Sequence, residues 1–194
     1  MEIGATKAVQ DRLKTTKIEE SKGASLVFCW DTHLTKIKGR NVLFIVNASN
    51  RYTIAMTDIE PRNWNYYAMY IIRVIHGMMQ EMGYSEEQIE QYFKMSGDTT
   101  VTKTHGRKSV GGINRMVMDA QYFGKKLEKE AKYQWELSKY LNRDICQPEG
   151  FDAYGYPSEL FKLDMERLGI ATKRKPAKVI DFAQYIENNR GTNH

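Results

Sequence analysis

The segment from residue 41 to residue 56 constrains the fold most strongly, because two apolar runs there are joined by a short polar turn. Asn41–Val46 (NVLFIV) is the strongest strand pattern in the chain, and Asn47–Asn50 supplies turn residues before a second run at Arg51–Met56. Apolar, β-branched runs separated by Asn and Ser are typical of a β-hairpin. The sequence therefore predicts two antiparallel strands here.

The hydrophobic period changes after this hairpin. Apolar residues recur every three or four positions from Asn63 to Met82, which predicts an amphipathic helix. Ser85 and Gln88 resemble a capping box at the start of a second helix, which would end near Met95. Further strands are predicted at Met1–Gly4, Ser25–Trp30 and Asp98–Thr102. This interleaving predicts an α+β fold in which a small, mainly antiparallel sheet is covered by helices on one face.

The C-terminal part carries a second helical pattern. It begins at Ser109 and predicts one long C-terminal helix running toward Leu141, with an apolar stripe that thins near Gly124. We therefore expect an α+β core domain over residues 1–123, followed by a helical extension and a partly flexible tail over residues 124–194. Within that tail, a short helix at Ser158–Leu168, a basic cluster at Lys173–Lys175 and an amphipathic segment at Val179–Ile186 are predicted.

Composition limits the classes of function. The chain has 194 residues, two cysteines and no apolar run of membrane-spanning length, which predicts a cytoplasmic protein with neither a disulfide framework nor a membrane partner. Its four histidines show neither close pairing nor cysteine spacing, so no metal and no cofactor is expected. The net charge of +5 suits a nucleic acid or a phosphorylated ligand about as well as a solvated surface.

The stretch from Thr100 to Arg115 is the most compact group of polar and cationic residues. It combines glycines with a helix start, an arrangement that favours anions through free amides and the helix dipole. The spacing does not fit a Walker loop, since its glycine positions are not glycine. A solvated turn is the alternative interpretation. The predicted ligand-binding residues are Lys103, Thr104, Arg107, Lys108 and Asn114.

Two other classes of function remain open. His33 lies two residues before Thr35, which is half of the signature of two-histidine phosphoesterases, and His105 would have to be the second imidazole of a phosphodiesterase or nuclease. The matching second motif is missing. Alternatively, residues 125–194 act as an inhibitor-like or antitoxin-like module that captures a protein partner.

The markers along the chain resemble a bacterial and phage domain family of unknown function. They appear in order over about residues 1–123: Ala5-Thr6-Lys7, Trp30 with Leu34, Val42-Leu43-Phe44 with Asn47, Thr102-Lys103-Thr104 with Arg107, and Gly111 with Asn114. The chain departs from the family pattern at His33, Gly106 and Arg115. The resemblance implies a shared fold and a shared pocket without implying an activity, and it shifts weight from His105 onto Lys103, Thr104, Arg107 and Asn114.

The leading hypothesis is therefore a binding module for a phosphate-bearing ligand, either a nucleotide or a nucleic acid, in a bacterial or phage setting. Charge would come from the lysines and the arginine of the Thr100–Arg115 stretch. Thr104 and Asn114 would orient the ligand through hydrogen bonds.

Overall fold

The structure is a computed structural model that describes residues 1–14 and 18–172. Its centre is a five-stranded sheet with the order β4-β3-β2-β1-β5. The strands are β1 (Glu2–Ala5), β2 (Cys29–Ile37), β3 (Arg40–Asn47), β4 (Thr53–Thr57) and β5 (Thr100–Thr102). The helices are α1 (Lys7–Leu13), α2 (Pro61–Asn65), α3 (Tyr67–Glu81), α4 (Glu86–Ser96), α5 (Gly106–Gln121), α6 (Trp135–Leu141) and α7 (Pro157–Arg167). The predicted α+β class is confirmed.

The sheet is mixed and mostly antiparallel. The antiparallel pairings of β3 with β2 and β4 contain eight and five residue pairs, whereas β1 pairs in parallel with β2 over four and with β5 over three. The parallel part thus lies at one side of the sheet. Its strands bring residues that are far apart in sequence to the same level, such as Gly4 beside both Asp31 and Thr102.

Helices cover both faces of the sheet, so the expectation of one covered face is wrong. Alternate residues such as Ile3, Trp30 and Ile45 pack against α1, α3, α4 and α7. The other residues of the same strands, including Phe44 and Ala55, pack against α5 and α6. A strand that is apolar on both faces has a continuous apolar sequence, which explains the NVLFIV run of β3.

The predicted hairpin is present between β3 and β4. The side chain of Asn47 organises its turn, because Oδ1 accepts hydrogen bonds from the backbone N–H groups of Ser49 and Asn50 at 3.0 and 3.3 Å. Arg51 then adopts a left-handed backbone conformation with φ of 62°. This turn is an Asx-type structure, for which asparagine is the favoured residue. It also directs the Arg51 side chain toward α5, where it reaches the carbonyl oxygen of Gly112.

The two helices predicted between Asn63 and Met95 are also confirmed, as α3 and α4. α3 occupies most of the predicted Asn63–Met82 segment, with Ile71 and Ile75 fully buried. At the start of α4, Ser85 Oγ accepts from the Gln88 N–H at 3.3 Å, and Gln88 Oε1 accepts from the Ser85 N–H at 3.0 Å. This is the reciprocal capping box expected from the sequence.

The second strand is longer than its apolar run suggested. The strand predicted at Ser25–Trp30 ends at Trp30, but β2 continues to Ile37 and pairs with β3 from Trp30 to Ile37. Asp31 and Thr32 are completely buried within it. Polar side chains at these positions interrupt the hydrophobic pattern because they serve hydrogen bonds inside the protein, which a hydropathy pattern does not reveal.

The single long helix predicted from Ser109 to Leu141 does not form. α5 ends at Gln121, residues 122–134 are irregular, and α6 begins at Trp135. The spacing of the apolar residues Phe123 and Leu127 fits a continuing helix. In the structure both side chains lie in the core beside α6. The Gln134 side chain holds the intervening loop by donating to the carbonyls of Glu128 and Ala131 at 2.9 and 2.6 Å.

The segment after residue 124 packs on the same sheet. Leu137 and Leu141 are buried in its core, and Ser138 and Asn142 accept the N–H groups of Ala55 and Thr53 at 3.0 and 2.8 Å. These contacts cover the outer edge of β4, whose backbone groups would otherwise remain unpaired. The boundary suggested at Gly124 therefore falls inside one packed unit.

The basic cluster and the last amphipathic segment predicted at residues 173–175 and 179–186 lie outside the described residues. The longest described helix, α5, has 16 residues, and none of the helices in the described ranges combines the length and the apolar content required to cross a bilayer.

Candidate functional site

The stretch from Thr100 to Arg115 forms β5, a tight turn and the first half of α5. Thr102 lies beside Gly4 in the parallel part of the sheet, and His105 immediately precedes α5. Gly106 has φ of 89°, a conformation that favours glycine, and this turn aims the His105 side chain back at β1 and β2. The turn thus separates a buried cluster beneath α5 from an exposed surface along it.

The buried cluster consists of one imidazole between two carboxylates. His105 Nδ1 lies 2.7 Å from Asp31 Oδ1, and His105 Nε2 lies 3.0 Å from Glu2 Oε2. The backbone N–H of His105 also points at Asp31, and Ser109 Oγ donates to Asp31 Oδ2. The three side chains of the central group are at most 5% exposed. The two carboxylates therefore bind the His105 ring and are shielded from water.

The electrostatics of the cluster keep its groups charged. Burial acts against protonation of His105, but hydrogen bonds with Asp31 and Cys29 outweigh it and raise its pKa to about 10. Burial would likewise raise the pKa of Glu2, yet hydrogen bonds from Ser21, the Lys22 amide and His105 lower it. Without further ligands, His105 is an imidazolium at neutral pH, with both ring nitrogens engaged.

Gly4 is required for this arrangement. A Cβ atom at this position would lie 1.8 Å from Asp31 Oδ1 and 3.1 Å from His105 Nδ1. The first distance is far too short for non-bonded atoms and the second is a tight contact, and the obstructing carboxylate is itself fixed by its hydrogen bonds. Glycine on β1 therefore makes the space that the His105 ring and the Asp31 carboxylate occupy.

The cluster also contains the side chains best suited to hold a metal ion. Glu2, Cys29 and His105 each offer one ligand atom, all three lie within 4.8 Å of one another, and all three residues are buried. Glu2 and Cys29 are paired neighbours on β1 and β2, so the sheet register fixes two of these donors side by side. Sequence spacing missed this group because its members are separated by 27 and 76 positions.

His33 does not share the bonding of His105. It lies two residues after Asp31 on β2, is half-buried, and places Nδ1 3.2 Å from the hydroxyl oxygen of Thr6. Burial lowers its pKa, which favours the neutral ring. An acid–base pair needs two imidazoles with a nitrogen free for substrate, whereas both nitrogens of His105 face carboxylates. The described residues therefore give no specific support to a two-histidine phosphodiesterase.

The five predicted ligand residues separate in the structure. Lys103 forms an ion pair with Glu20, and the carbonyl of the half-buried Thr104 accepts the Gly106 N–H at 2.9 Å. The other three, Arg107, Lys108 and Asn114, are exposed on α5. Of this set, Lys108 lines a cleft together with other cationic residues.

That cleft, which we call the cationic cleft, has a volume of about 230 Å³. Cationic side chains come from Arg51 in the hairpin turn and from Lys108 and Arg115 on α5. The helix surface is open at Gly111, whereas the Arg51 side chain lies over Gly112. The remaining lining residues are Val46, Ala48, Ser109, Gln147, Pro148 and Glu149. Lys108 and Arg115 share one helix face at a spacing of seven, a signal present in the sequence, whereas Arg51 could be placed there only by the fold.

The charges of the cationic cleft are poorly compensated. Arg51 donates to the Gly112 carbonyl at 2.9 Å and Lys108 to the Pro148 carbonyl at 3.3 Å, and neither has a carboxylate within 4.0 Å among the described residues. Arg115 is 3.9 Å from Asp119, with its side chain 72% exposed. Glu149 is the acidic residue in the lining. The cleft is therefore net positive.

A larger neighbouring cleft differs in this respect. It has a volume of about 360 Å³ and contains Lys125 and Lys139, but both lysines pair with Glu136, at 2.6 and 3.4 Å. Asp119 and Asp144 add further negative charge. Its size is greater, yet its charges neutralise one another, so it offers a weaker attraction for an anion than the cationic cleft.

Fold and site together define a class: an α+β domain with a mixed five-stranded sheet, a buried histidine cluster and a cationic cleft at the start of one helix. Residues 2–160 match DUF6933, a domain of unknown function. Since this match spans most of the 194 residues, the protein belongs to that family. The match continues through α6, beyond the residues 1–123 over which the sequence markers were found. No curated protein and no solved structure matches the chain.

Proposed function

We propose that the protein binds a phosphate-bearing ligand, a nucleotide or a nucleic acid, in the cationic cleft. The observation that carries this proposal is the convergence of three cations, Arg51, Lys108 and Arg115, on a surface whose lining contains one carboxylate. Arg51 and Lys108 donate to backbone carbonyls and form no ion pair within 4.0 Å among the described residues, and the pair of Arg115 with Asp119 is exposed and long at 3.9 Å, so an anion displaces little existing charge pairing.

The groups in the cleft support a phosphate in particular. Gly111 leaves open space beside α5, the Arg51 guanidinium lies over Gly112, and Ser109 adds a hydroxyl at the rim. Arginine side chains can donate two parallel hydrogen bonds to phosphate oxygens. The first turns of a 16-residue helix also favour negative charge through the dipole. These features act together on a group of phosphate size.

The dimensions of the cleft limit what it can enclose. Its volume of about 230 Å³ is smaller than that of ordinary pockets for drug-sized ligands, which begin at about 300 Å³. The cleft therefore encloses one or two phosphate groups, and the rest of a nucleotide or of a nucleic-acid strand extends along exposed α5. Arg107 and Asn114 on that helix are available to such an extension. A role in a bacterial or phage cell belongs to the same proposal.

Calorimetric titration with pyrophosphate, ATP and short single-stranded RNA and DNA tests this function. The proposal predicts binding that weakens steeply with added salt. A Lys108→Gln/Arg115→Gln variant should lose about a hundredfold or more in affinity, since each of the two charged hydrogen bonds contributes about 1.5–3 kcal/mol.

The matched control is Lys126→Gln/Lys129→Gln, which removes the same charge from exposed residues outside the cleft. It should bind almost as the parent protein does. Equal loss in both double variants would reduce the effect to net charge. Failure of all four ligands to bind the folded parent protein would refute the proposal.

A further inference from the structure

The buried cluster has a position between ligand atoms that must contain a positive charge. His105 Nδ1 is 2.7 Å from Asp31 Oδ1, which fixes a proton on Nδ1, since a carboxylate oxygen only accepts. Nε2 then faces Glu2 Oε2 at 3.0 Å. Two atoms that both carry lone pairs cannot approach this closely unless a proton or a metal ion lies between them.

Cys29 makes this position different from an ordinary histidine–carboxylate pair. Its sulfur lies within 4.8 Å of the ligand atoms of Glu2 and His105, and the residue is completely buried. The thiol otherwise has weak partners, the carbonyl oxygens of Ser25 and Ala24 at 3.5 and 3.7 Å. Nitrogen, sulfur and oxygen donors thus surround one buried point.

We propose that Glu2, Cys29 and His105 bind a divalent transition-metal ion of the zinc class. Imidazole, thiolate and carboxylate are the donors that Zn²⁺ takes in proteins. Asp31 would be a positioning residue, because it holds the Nδ1–H of His105 and so turns Nε2 toward the ion, an arrangement found behind most metal-bound histidines.

The exchange of protons for metal is balanced. One proton leaves His105 Nε2, one leaves the Cys29 sulfur, and one divalent ion enters, so the charge of the buried cluster does not change. The metal-bound cluster then has the same net charge as the protonated cluster. Equal charge matters because each additional charge in an interior without water is costly.

The geometry requires only small shifts of the ligand atoms. Ligand atoms about 2.0–2.3 Å from a tetrahedral ion lie about 3.3–3.8 Å from each other. His105 Nε2 and Glu2 Oε2, now 3.0 Å apart, would separate slightly, and the sulfur already lies within 4.8 Å of its two partners. The hydroxyl of Ser21, 2.6 Å from Glu2 Oε2, is a further oxygen beside the three ligand atoms. With every protein ligand buried, we assign the ion a structural role that joins β1, β2 and the start of α5.

Cobalt titration of the full chain tests this site with a signal specific to the sulfur. The protein is stripped with a chelator and titrated with Co²⁺, and thiolate-to-cobalt charge transfer is followed in the near ultraviolet. We expect a band that saturates at one equivalent and is displaced by Zn²⁺. The chain contains two cysteines, so Cys146→Ser, which alters a buried thiol in another cluster, is a matched control for Cys29→Ser.

The expected outcome is loss of the band in Cys29→Ser and its retention in Cys146→Ser, together with a higher melting temperature of the parent protein when Zn²⁺ is added. Glu2→Gln provides a second variant if Cys29→Ser does not fold, and it should weaken Co²⁺ binding with the band still visible at high Co²⁺. A folded parent protein that gives no band, or a band lost only in Cys146→Ser, would overturn the assignment.

Discussion

The buried cluster contains His105 and the cationic cleft contains Lys108, only three residues further along the chain. The two sites differ in how far their charges are buried and paired. In the cluster the side chains of His105, Glu2 and Asp31 are at most 5% exposed, and each has a charged partner. In the cleft the Arg115 side chain is 72% exposed, and the nearest carboxylate is 3.9 Å away. One short segment thus supplies both a closed and an open electrostatic site.

This contrast indicates what each set of charges does. Charges that are buried and matched contribute to the stability of the fold, and removal of one partner leaves the others unpaired. Charges that are exposed and unmatched contribute little to stability and remain available to a ligand. Substitutions in the two regions should therefore separate stability from binding.

The largest effect is expected for Asp31→Ala. It leaves the His105 imidazolium, the His105 N–H and the Ser109 hydroxyl without their common acceptor, at a cost of about 3–5 kcal/mol in the free energy of unfolding. Urea unfolding of the metal-free protein measures this loss. Asp11→Ala, which breaks an exposed pair with Lys7, is the control and should cost at most about 1 kcal/mol. Similar values for both variants would contradict the assigned role of the cluster.

A smaller loss is expected for Gly4→Ala. The new methyl group would displace the Asp31 carboxylate, so overpacking should lower the free energy of unfolding by about 1–3 kcal/mol. Gly77→Ala in α3 is the matched control, because a Cβ there meets no atom within 4 Å and alanine favours the helix by up to about 1 kcal/mol. Thermal unfolding of the two variants should give shifts of opposite sign. A stabilised Gly4→Ala would show that the space beside Asp31 is not restricted.

Asp164 on α7 is a third case, a buried carboxylate whose hydrogen bonds do not fully offset the cost of burying its charge. Burial raises its pKa despite hydrogen bonds from Asn50 and Ser49 and the nearby charge of Arg167. Because the folded pKa is above the unfolded value of about 3.9, the stabilising contribution is present below the unfolded pKa and is lost as pH rises through the folded pKa.

Asp164→Asn should therefore gain stability relative to the parent protein as pH increases from about 4 to 7. Urea unfolding of both proteins across this range isolates the contribution of the one carboxyl group. Asparagine and aspartate side chains have nearly the same size, so packing is common to the two proteins. A difference in stability that is constant with pH, or that moves in favour of the parent protein, would contradict the direction of the shift.

The smallest effect on stability is expected in the cationic cleft. Lys108→Gln/Arg115→Gln should change the free energy of unfolding by no more than about 0.5 kcal/mol per site, as exposed substitutions usually do. The same variant should lose ligand affinity. A marked loss of stability would show that these cations support the fold, in which case the contrast between the two regions would fail.

The fold was predictable wherever local chemistry determined it. The hairpin after Asn47 and the capping box of Ser85 and Gln88 were recognised because turn and cap residues act on their own neighbours. The end of α5 was missed, since Phe123 and Leu127 fit a helical stripe equally well whether they continue a helix or turn into the core. The spacing of apolar residues predicts which side chains are buried, but it does not show which element they pack against.

The candidate site was predictable only in part. The sequence predicted the start of α5 to within three residues, but it could not show that β1 pairs with both β2 and β5, which brings Glu2 and Asp31 to His105. Arg51 entered the cationic cleft for a similar reason, through a hairpin turn 61 residues from the glycine that it contacts. Both sites therefore depend on contacts between residues far apart in the sequence, which local patterns do not encode.

The most direct test of the central claim is to map pyrophosphate binding by amide chemical shifts in ¹H–¹⁵N spectra. The structure predicts the largest changes at Arg51 and along residues 108–112, with little change at Ser21 and Lys22 beside the buried cluster. These changes should disappear in Lys108→Gln/Arg115→Gln and persist in Lys126→Gln/Lys129→Gln. Changes centred on the larger cleft at Lys125 and Lys139, or spread evenly over the surface, would contradict the assignment of phosphate binding to the cationic cleft.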